Sequence, residues 1–229
     1  MTPATDIIRR TLKHTFWDIY DHVGTLVAVN LLTILLFLPV VTIPLAFAGL
    51  FHVAHLIVTE REPRIRDFFA GMRPLWRRFC LATGLNLIVC LICVLNIWFY
   101  LSVRKEIAFL GMLAAGICFW FAAIFLLGQL YVGPVMCRMD IRIRGAYKLA
   151  FWLLARNIGS TIVVCFYLVF LLALLVISGV GAVLLGFVFP VALAHNLTAQ
   201  AAQSCGMAEQ ERPEEVRGFR DLVRPWGTQ

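Results

Sequence analysis

Charge is what this sequence lacks most. Lys, Arg, Asp and Glu make up 14% of its 229 residues, whereas hydrophobic residues make up 61%. A soluble domain of this size needs roughly 25% charged residues to cover its surface. The composition therefore argues against an ordinary soluble enzyme or binding domain. It favours a single membrane domain with small extramembrane pieces.

Four stretches contain no charged residue at all: 23–59, 79–103, 107–137 and 157–208. A hydrocarbon core of ~30 Å takes about 20 helical residues, so the second and third stretches predict one span each. The fourth is long enough for two spans, with a turn at 178–181. The first contains Pro39 and Pro44, which interrupt a helix. It predicts either two short spans joined by a tight hairpin or one span followed by a re-entrant segment.

The positions of the basic residues favour the hairpin. If the chain crosses six times from a cytoplasmic N-terminus, all of its 20 Lys and Arg residues except Arg104 and Lys105 lie in cytoplasmic segments. Such a bias is typical of membrane proteins. We therefore predict an all-α transmembrane bundle of six spans, as three hairpins, in residues 1–208, and a cytoplasmic polar tail at 209–229. The predicted spans are 23–40, 44–58, 79–101, 107–132, 160–177 and 180–200.

A basic segment with apolar residues at helical spacing precedes each predicted hairpin. The three stripes are Ile8, Leu12, Phe16, Ile19 and Val23; Ile65, Phe68, Phe69, Met72, Trp76 and Phe79; and Ile143, Ala146, Tyr147, Ala150, Leu153 and Leu154. This pattern predicts amphipathic helices that lie in the cytoplasmic interface and meet anionic lipid headgroups. Pro74 is placed to open the third span. No aromatic–basic module that would bind nucleic acid is visible.

Two stretches of the sequence carry a family resemblance. Leu-Pro-Val-Val-Thr-Ile-Pro at 38–44 lies between Asn-Leu-Leu at 30–32 and Phe-Phe at 68–69, and a second stretch runs from 133 to 151. Together they resemble the YesL-like family of bacterial integral membrane proteins, in which Gly usually separates the Ile from the second Pro. Here Ile43 meets Pro44 directly. The resemblance implies a bacterial inner-membrane location and a link to carbohydrate uptake, and it supplies no catalytic residues.

The bend at Pro39, Thr42 and Pro44 is the structural motif within this resemblance. Val40 to Ile43 lie between the two prolines, where regular helical bonding is interrupted. Carbonyl groups freed by the bend cannot face hydrocarbon without a partner. We therefore expect the Thr42 hydroxyl to bond to a nearby backbone group.

Few side chains within the predicted spans could support binding or transport. The histidines could bind a metal or a headgroup, but polar packing near helix ends is the favoured interpretation. The amides could line a polar path, although hydrogen bonds between helices are their commoner use. This tentative polar site comprises His52, His55, His195, Asn86, Asn96 and Gln129.

Small residues recur at every fourth position near the end of the apolar region: Ser178, Ala182, Gly186, Pro190 and Ala194. The stripe predicts that another helix packs closely along the sixth span, more readily from the same chain than from a second copy. The seven cysteines lie mostly inside apolar runs, so no disulfide framework is expected. Cys90 and Cys93 lack the second pair that a zinc site would need.

The sequence contains no nucleophile–base set, metal motif or phosphate-binding loop. We therefore expect a non-enzymatic protein without cofactor or metal, for which two interpretations stand. One is an accessory or scaffolding component of a solute uptake or envelope system, with a membrane-protein partner or a second copy. The other is a transporter or channel for a neutral small solute. A continuous polar channel at the amides would favour transport, and a solid core would favour the scaffold.

Overall fold

The computed structural model describes residues 4–59, 62–102 and 108–207, and the predicted tail at 209–229 lies outside these ranges. Within them the chain is helical and contains no strand, as the sequence predicted. The helices are α1 Ala4–Asp21, α2 Val23–Phe37, α3 Ile43–Val58, α4 Ile65–Leu101, α5 Ala108–Arg138, α6 Ile143–Arg156, α7 Ile158–Ile177, α8 Val180–Leu185 and α9 Val188–Ser204. A 3-10 turn at Val40–Thr42 joins α2 to α3.

Several helices are suited to a bilayer. Four segments in the described residues are long and apolar enough to cross one: Val40–Val58, Ile65–Tyr100, Phe109–Arg138 and Ile158–Ile177. Helices α1 and α2 meet at 90° and would make a fifth if this bent pair is one broken span. Helix α2 alone has 15 residues, about 22 Å, which is shorter than the ~30 Å hydrocarbon core.

Large apolar side chains cover the outward faces of α4 and α5. Leu87, Trp98, Phe109 and Trp120 are each more than half exposed. Soluble monomers rarely expose continuous apolar surface on this scale. The outward surface is therefore that of a membrane-embedded protein, whose helices take lipid as their solvent.

Helix α4 differs from the prediction. The expected interfacial helix and the third span form one continuous helix of 37 residues, with Pro74 inside it rather than at the start of a span. A helix of this length extends about 55 Å, so its basic first part reaches well beyond a ~30 Å hydrocarbon core. Pro74 removes one hydrogen bond, to the Ala70 carbonyl. Ala70 is exposed, so the freed carbonyl can bond to solvent or headgroups.

Glycines mark the places where helices cross most closely. A Cβ on Gly49 of α3 would lie 2.7 Å from the Phe68 carbonyl oxygen of α4. A Cβ on Gly133 of α5 would overlap the ring of Phe51 in α3. Small residues allow such approaches, because the backbones themselves come into contact. The close packing seams among α3, α4 and α5 were not part of the sequence prediction.

The predicted sixth span is interrupted, and the residues of its packing stripe do not share one helix. Helix α8 ends before Gly186 and α9 begins after it, so the five stripe residues fall on different elements: Ser178 after α7, Ala182 in α8, Gly186 in the break, and Pro190 and Ala194 in α9. A Cβ on Gly186 would meet the Ala182 carbonyl of its own segment. The four-residue spacing produces a stripe only on a continuous helix, and the break removes that continuity.

Two predicted turns are present. Gly179 separates α7 from α8 with a φ of 63°, a left-handed conformation that glycine adopts without a Cβ clash. Between α2 and α3, Pro39 precedes the 3-10 turn and Pro44 lies in the first turn of α3. The Thr42 hydroxyl donates to the Pro39 carbonyl at 2.7 Å and also contacts the Leu36 carbonyl. This is the backbone bond that was expected of Thr42.

Candidate polar sites in the helix bundle

Helix α1 buries a face that the sequence analysis did not predict. Phe16, a member of the predicted apolar stripe, is 46% exposed, whereas Ile19 of the same stripe is buried. The buried residues of α1 include Thr11, His14 and Asp18, which follow one another at helical spacing. The prediction placed the apolar side chains of this helix against the lipid interface and named no packed face. In a bilayer they are equally stable facing lipid, so polar side chains that find partners can occupy the packed face.

Asp18 and Asn196 join α1 to α9. Both are almost fully buried, at 5% and 2% exposure. The Asn196 amide donates to Asp18 Oδ2 at 2.8 Å and to Thr15 Oγ1 at 3.2 Å, and the Thr15 hydroxyl donates to the Thr11 carbonyl at 2.8 Å. A buried carboxylate is costly without such partners. Asp18 was not predicted as a buried polar residue, because it lies before the first charge-free stretch and therefore outside the predicted spans. The one available signal was the helical spacing of Asp18 from Thr11.

The structure brings two of the three predicted histidines together. The rings of His55 in α3 and His195 in α9 have centroids 6.0 Å apart, and His195 is fully buried. His52 instead packs against Gly71 of α4. Arg138, at the end of α5, donates to the His195 carbonyl at 3.0 Å. In the described part of the chain, no group of three or more His, Cys, Asp or Glu residues is placed to hold a metal ion.

Two of the three predicted amides bond to each other. The Asn86 amide in α4 donates to Gln129 Oε1 in α5 at 3.0 Å, and the Tyr147 hydroxyl in α6 donates to Asn86 Oδ1 at 2.7 Å. Burial raises the pKa of the Tyr147 phenol above its ordinary value, which keeps it a neutral donor. Asn96 bonds at 2.7 Å to the Ile92 carbonyl of its own helix. Asn86, Gln129 and Tyr147 therefore form a clamp between three helices.

Asn30 in α2 forms hydrogen bonds to the backbone at the break between α8 and α9. Its side chain is completely buried. Its amide donates to the Val183 carbonyl at 2.7 Å, and its Oδ1 accepts the N–H groups of Phe187 at 3.0 Å and Val188 at 3.2 Å. The side chain thus satisfies backbone groups on both sides of the break. The sequence showed Asn30 as an amide within a span but gave no signal of this partner.

The described residues form at least two surface depressions. One of about 500 Å³ lies between α4 and the start of α6, beside Arg78 and Arg142. A smaller one of about 160 Å³ lies where α1, α7 and α9 meet, beside Ala4 and Ser204. Neither is lined by Asn86, Asn96 or Gln129.

No protein-family model, curated protein or solved structure matches this chain. The resemblance to the YesL-like family therefore stays a prediction.

Proposed function

We propose that the chain is a non-enzymatic accessory or scaffolding protein of a bacterial solute uptake or envelope system, such as one for carbohydrates. In this proposal it is a YesL-like protein of the inner membrane that crosses the bilayer six times, with both termini in the cytoplasm. The first part of α4 and the helices α1 and α6 lie at the cytoplasmic interface. There they contact anionic headgroups and either a membrane-protein partner or a second copy.

One observation carries this proposal: the amide side chains of Asn30, Asn86 and Gln129, which lie between apolar helices, are hydrogen-bonded within the protein. Asn86 and Gln129 form a clamp with Tyr147, and Asn30 is bonded to the backbone of α8 and α9. Hydrogen bonds of this kind hold helices together within a bilayer. A solute path would instead need polar groups that remain open to the solute. The pairing supports a solid core.

The contacts between elements also support one common cytoplasmic face. The Ser160 hydroxyl lies 3.4 Å from the Ala4 carbonyl, which joins the starts of α7 and α1. Arg78 of α4 forms an ion pair with Asp140, just before α6. Ala4, Arg78 and Asp140 belong to segments predicted to meet the cytoplasm, and Ser160 begins the predicted span 160–177 at its cytoplasmic end.

Reporter fusions test this topology. Alkaline phosphatase and green fluorescent protein, each fused after Ser102 and after Gln229, should report opposite sides of the membrane. A periplasmic report at Gln229 would refute six spans and favour a re-entrant first segment.

A second candidate function, transport of a neutral small solute, is favoured by the buried Asp18–Asn196 contact. Ionisable residues inside membrane proteins commonly mark transport paths. Reconstitution into liposomes separates the two candidates. The scaffold predicts that neutral sugars leave protein-containing and empty liposomes at the same rate. Transport predicts faster release that Asp18→Asn abolishes and the control Asn96→Ala retains.

Site-specific crosslinking in native membranes tests the scaffold directly. Trp152 lies on the exposed side of α6, whereas Phe109 lies on the lipid-facing side of α5. A photo-crosslinking amino acid at 152 should give a discrete adduct with a membrane protein, and the same group at 109 should give none. Adducts at neither position, or equal adducts at both, would contradict a partner at the cytoplasmic interface.

A further inference from the structure

Three of the six residues that line the larger surface depression are arginines. Arg78 comes from α4, and Arg142 and Arg144 come from the start of α6, around a volume of about 500 Å³. Asp140 is the one carboxylate of this lining, and it already pairs with Arg78. Two positive charges of the lining are thus left over. Guanidinium groups bind phosphate oxygens through paired hydrogen bonds, so the lining suits a phosphate better than a neutral ligand.

The start of α6 adds backbone donors to the same place. The first helical bond runs from the Ala146 N–H to the Arg142 carbonyl at 3.0 Å, so the N–H groups at 143–145 have no acceptor within the helix. The Arg142 side chain does not cap α6, and the first turn of α6 contains no acidic residue. Two arginines at the positive end of a helix dipole repel it. An anion between them would relieve that repulsion.

The start of α4 shows what α6 lacks. Helix α4 begins with Arg-Ile-Arg-Asp at 64–67 and α6 with Arg-Ile-Arg-Gly at 142–145. Asp67 Oδ2 accepts the Arg64 N–H at 2.8 Å, so α4 carries its own anion at its first turn. The corresponding position in α6 is Gly145. The two helices share their basic residues and differ in whether the chain supplies the negative charge.

Tryptophans on α4 and α6, the two helices that flank the depression, indicate its level in the membrane. The Arg77 guanidinium lies over the Trp76 ring at 5.4 Å, and that of Arg156 lies over Trp152 at 5.2 Å. Both tryptophans are partly exposed. Tryptophan concentrates at the headgroup level of membranes, where lipid phosphates are also found.

We propose that this depression is a binding site for a phosphate anion, held by Arg142, Arg144 and the first amides of α6. The headgroup of an anionic phospholipid supplies such a group at this level, and a soluble phosphate has the same chemistry. The proposal is independent of the scaffolding function. It adds a specific ligand site to a protein whose basic segments suggested only general attraction to lipid.

Titration of the purified full chain in detergent tests the site and its source. The probes are dioleoylphosphatidylglycerol, dioleoylglycerol as the matched lipid without phosphate, and inorganic phosphate, and the readout is the shift in melting temperature. The variants are the double substitution Arg142→Gln/Arg144→Gln and the single substitution Gly145→Asp. The latter places a carboxylate where α4 has Asp67. A Cβ at Gly145 meets only Ile141, at 3.7 Å, so the new side chain fits.

The control is Arg64→Gln/Arg66→Gln, which removes the same charge from the start of α4. We expect phosphatidylglycerol, and not dioleoylglycerol, to stabilise the wild-type chain. Both variants of α6 should bind it about tenfold more weakly, while the control stays within about twofold of wild type. Inorganic phosphate binding as tightly as the lipid would support the site and assign it to a soluble anion.

Two results would overturn the proposal. An equal loss of affinity in the α4 control would show that general surface charge attracts the lipid. Unchanged affinity in both α6 variants would show that the ligand binds elsewhere. If the double variant fails to fold, Gly145→Asp decides alone, because it adds a cap to the helix: full affinity in this variant would refute the site.

Discussion

Asn30 and Val188 are 158 residues apart in the chain and are joined by a hydrogen bond of 3.2 Å from the Val188 N–H to Asn30 Oδ1. The same oxygen accepts the Phe187 N–H, and the amide of Asn30 donates to the Val183 carbonyl. A helix break frees backbone groups that cannot be left without partners in hydrocarbon. One buried side chain on α2 therefore supports the break between α8 and α9.

Replacing Asn30 with leucine should destabilise the protein. The substitution removes three hydrogen bonds and leaves the backbone groups of Val183, Phe187 and Val188 without this partner. At about 0.6 kcal/mol for each bond within a membrane, we expect a loss of about 2 kcal/mol in the free energy of unfolding. Asn96→Leu is the control, because Asn96 bonds only within its own helix. Equal losses in the two variants, measured by unfolding in detergent, would contradict the role of Asn30.

Gly49→Ala tests the close crossing of α3 and α4. The added methyl group would meet the Phe68 backbone oxygen, which cannot rotate away as a side chain could. We expect the free energy of unfolding to fall by about 1–3 kcal/mol, the usual cost of overpacking. Gly84→Ala, where the methyl group meets nothing within 4 Å, should leave it unchanged or raise it. An unchanged free energy of unfolding in Gly49→Ala would show that the two helices can move apart without cost.

Tyr147→Phe tests the clamp between α4, α5 and α6. Loss of the bond to Asn86 should lower the free energy of unfolding by about 1 kcal/mol at neutral pH. Tyr167→Phe is the control, since that side chain is exposed. Similar losses in both variants would show that the clamp adds no stability of its own.

The stability difference between wild type and Tyr147→Phe should also depend on pH. Because burial raises the pKa of Tyr147, the folded chain keeps the phenol proton at a pH where the unfolded chain releases it. The stabilisation is complete below pH ~10, the ordinary tyrosine value, and is lost as the pH rises further. The stability difference between wild type and Tyr147→Phe should therefore narrow above pH ~10. A constant difference would contradict the effect of burial on this pKa.

Labelling at Val41 distinguishes the hairpin from a re-entrant segment. Val41 is 85% exposed in the turn between α2 and α3, and the Thr42 hydroxyl is engaged by backbone carbonyls. In a chain whose seven cysteines are replaced, Val41→Cys should react with an impermeant maleimide added outside the cell. Reaction from the cytoplasmic side alone would show that the segment re-enters the membrane.

The turns of the fold could be predicted, because they depend on residues that are adjacent in the sequence. The prolines at 39 and 44 and the glycine at 179 act on their own backbone, and the turns occur where they predict. The continuous α4 could not be predicted in this way. Its Pro74 has the local chemistry of a helix start, but the packing of α4 against α3 and α5 is sufficient to carry the helix through it.

For the candidate polar groups, the sequence indicated some of the residues, and the structure was needed to show their partners. Asn86 and Gln129 stood out in the sequence as amides within apolar runs, whereas their partner Tyr147 was noted only as a member of an apolar stripe. His55 and His195 were noted separately, and only the packing of α3 against α9 brought their rings within 6.0 Å. Asp18 attracted no attention because it lies in a helix rich in charge, and its burial depends on contact with Asn196.

The sequence by itself determined which segments are apolar, where charge is confined and where the backbone turns, since these follow from composition and local geometry. Only the tertiary structure decided that α1 packs through Asp18 rather than Phe16, and that α8 and α9 separate opposite Asn30. The reason is that lipid accepts apolar side chains as readily as a protein core does, so hydrophobicity does not select the buried face of a membrane helix. Hydrogen bonds between distant residues make that selection, and the linear order of the chain does not contain them.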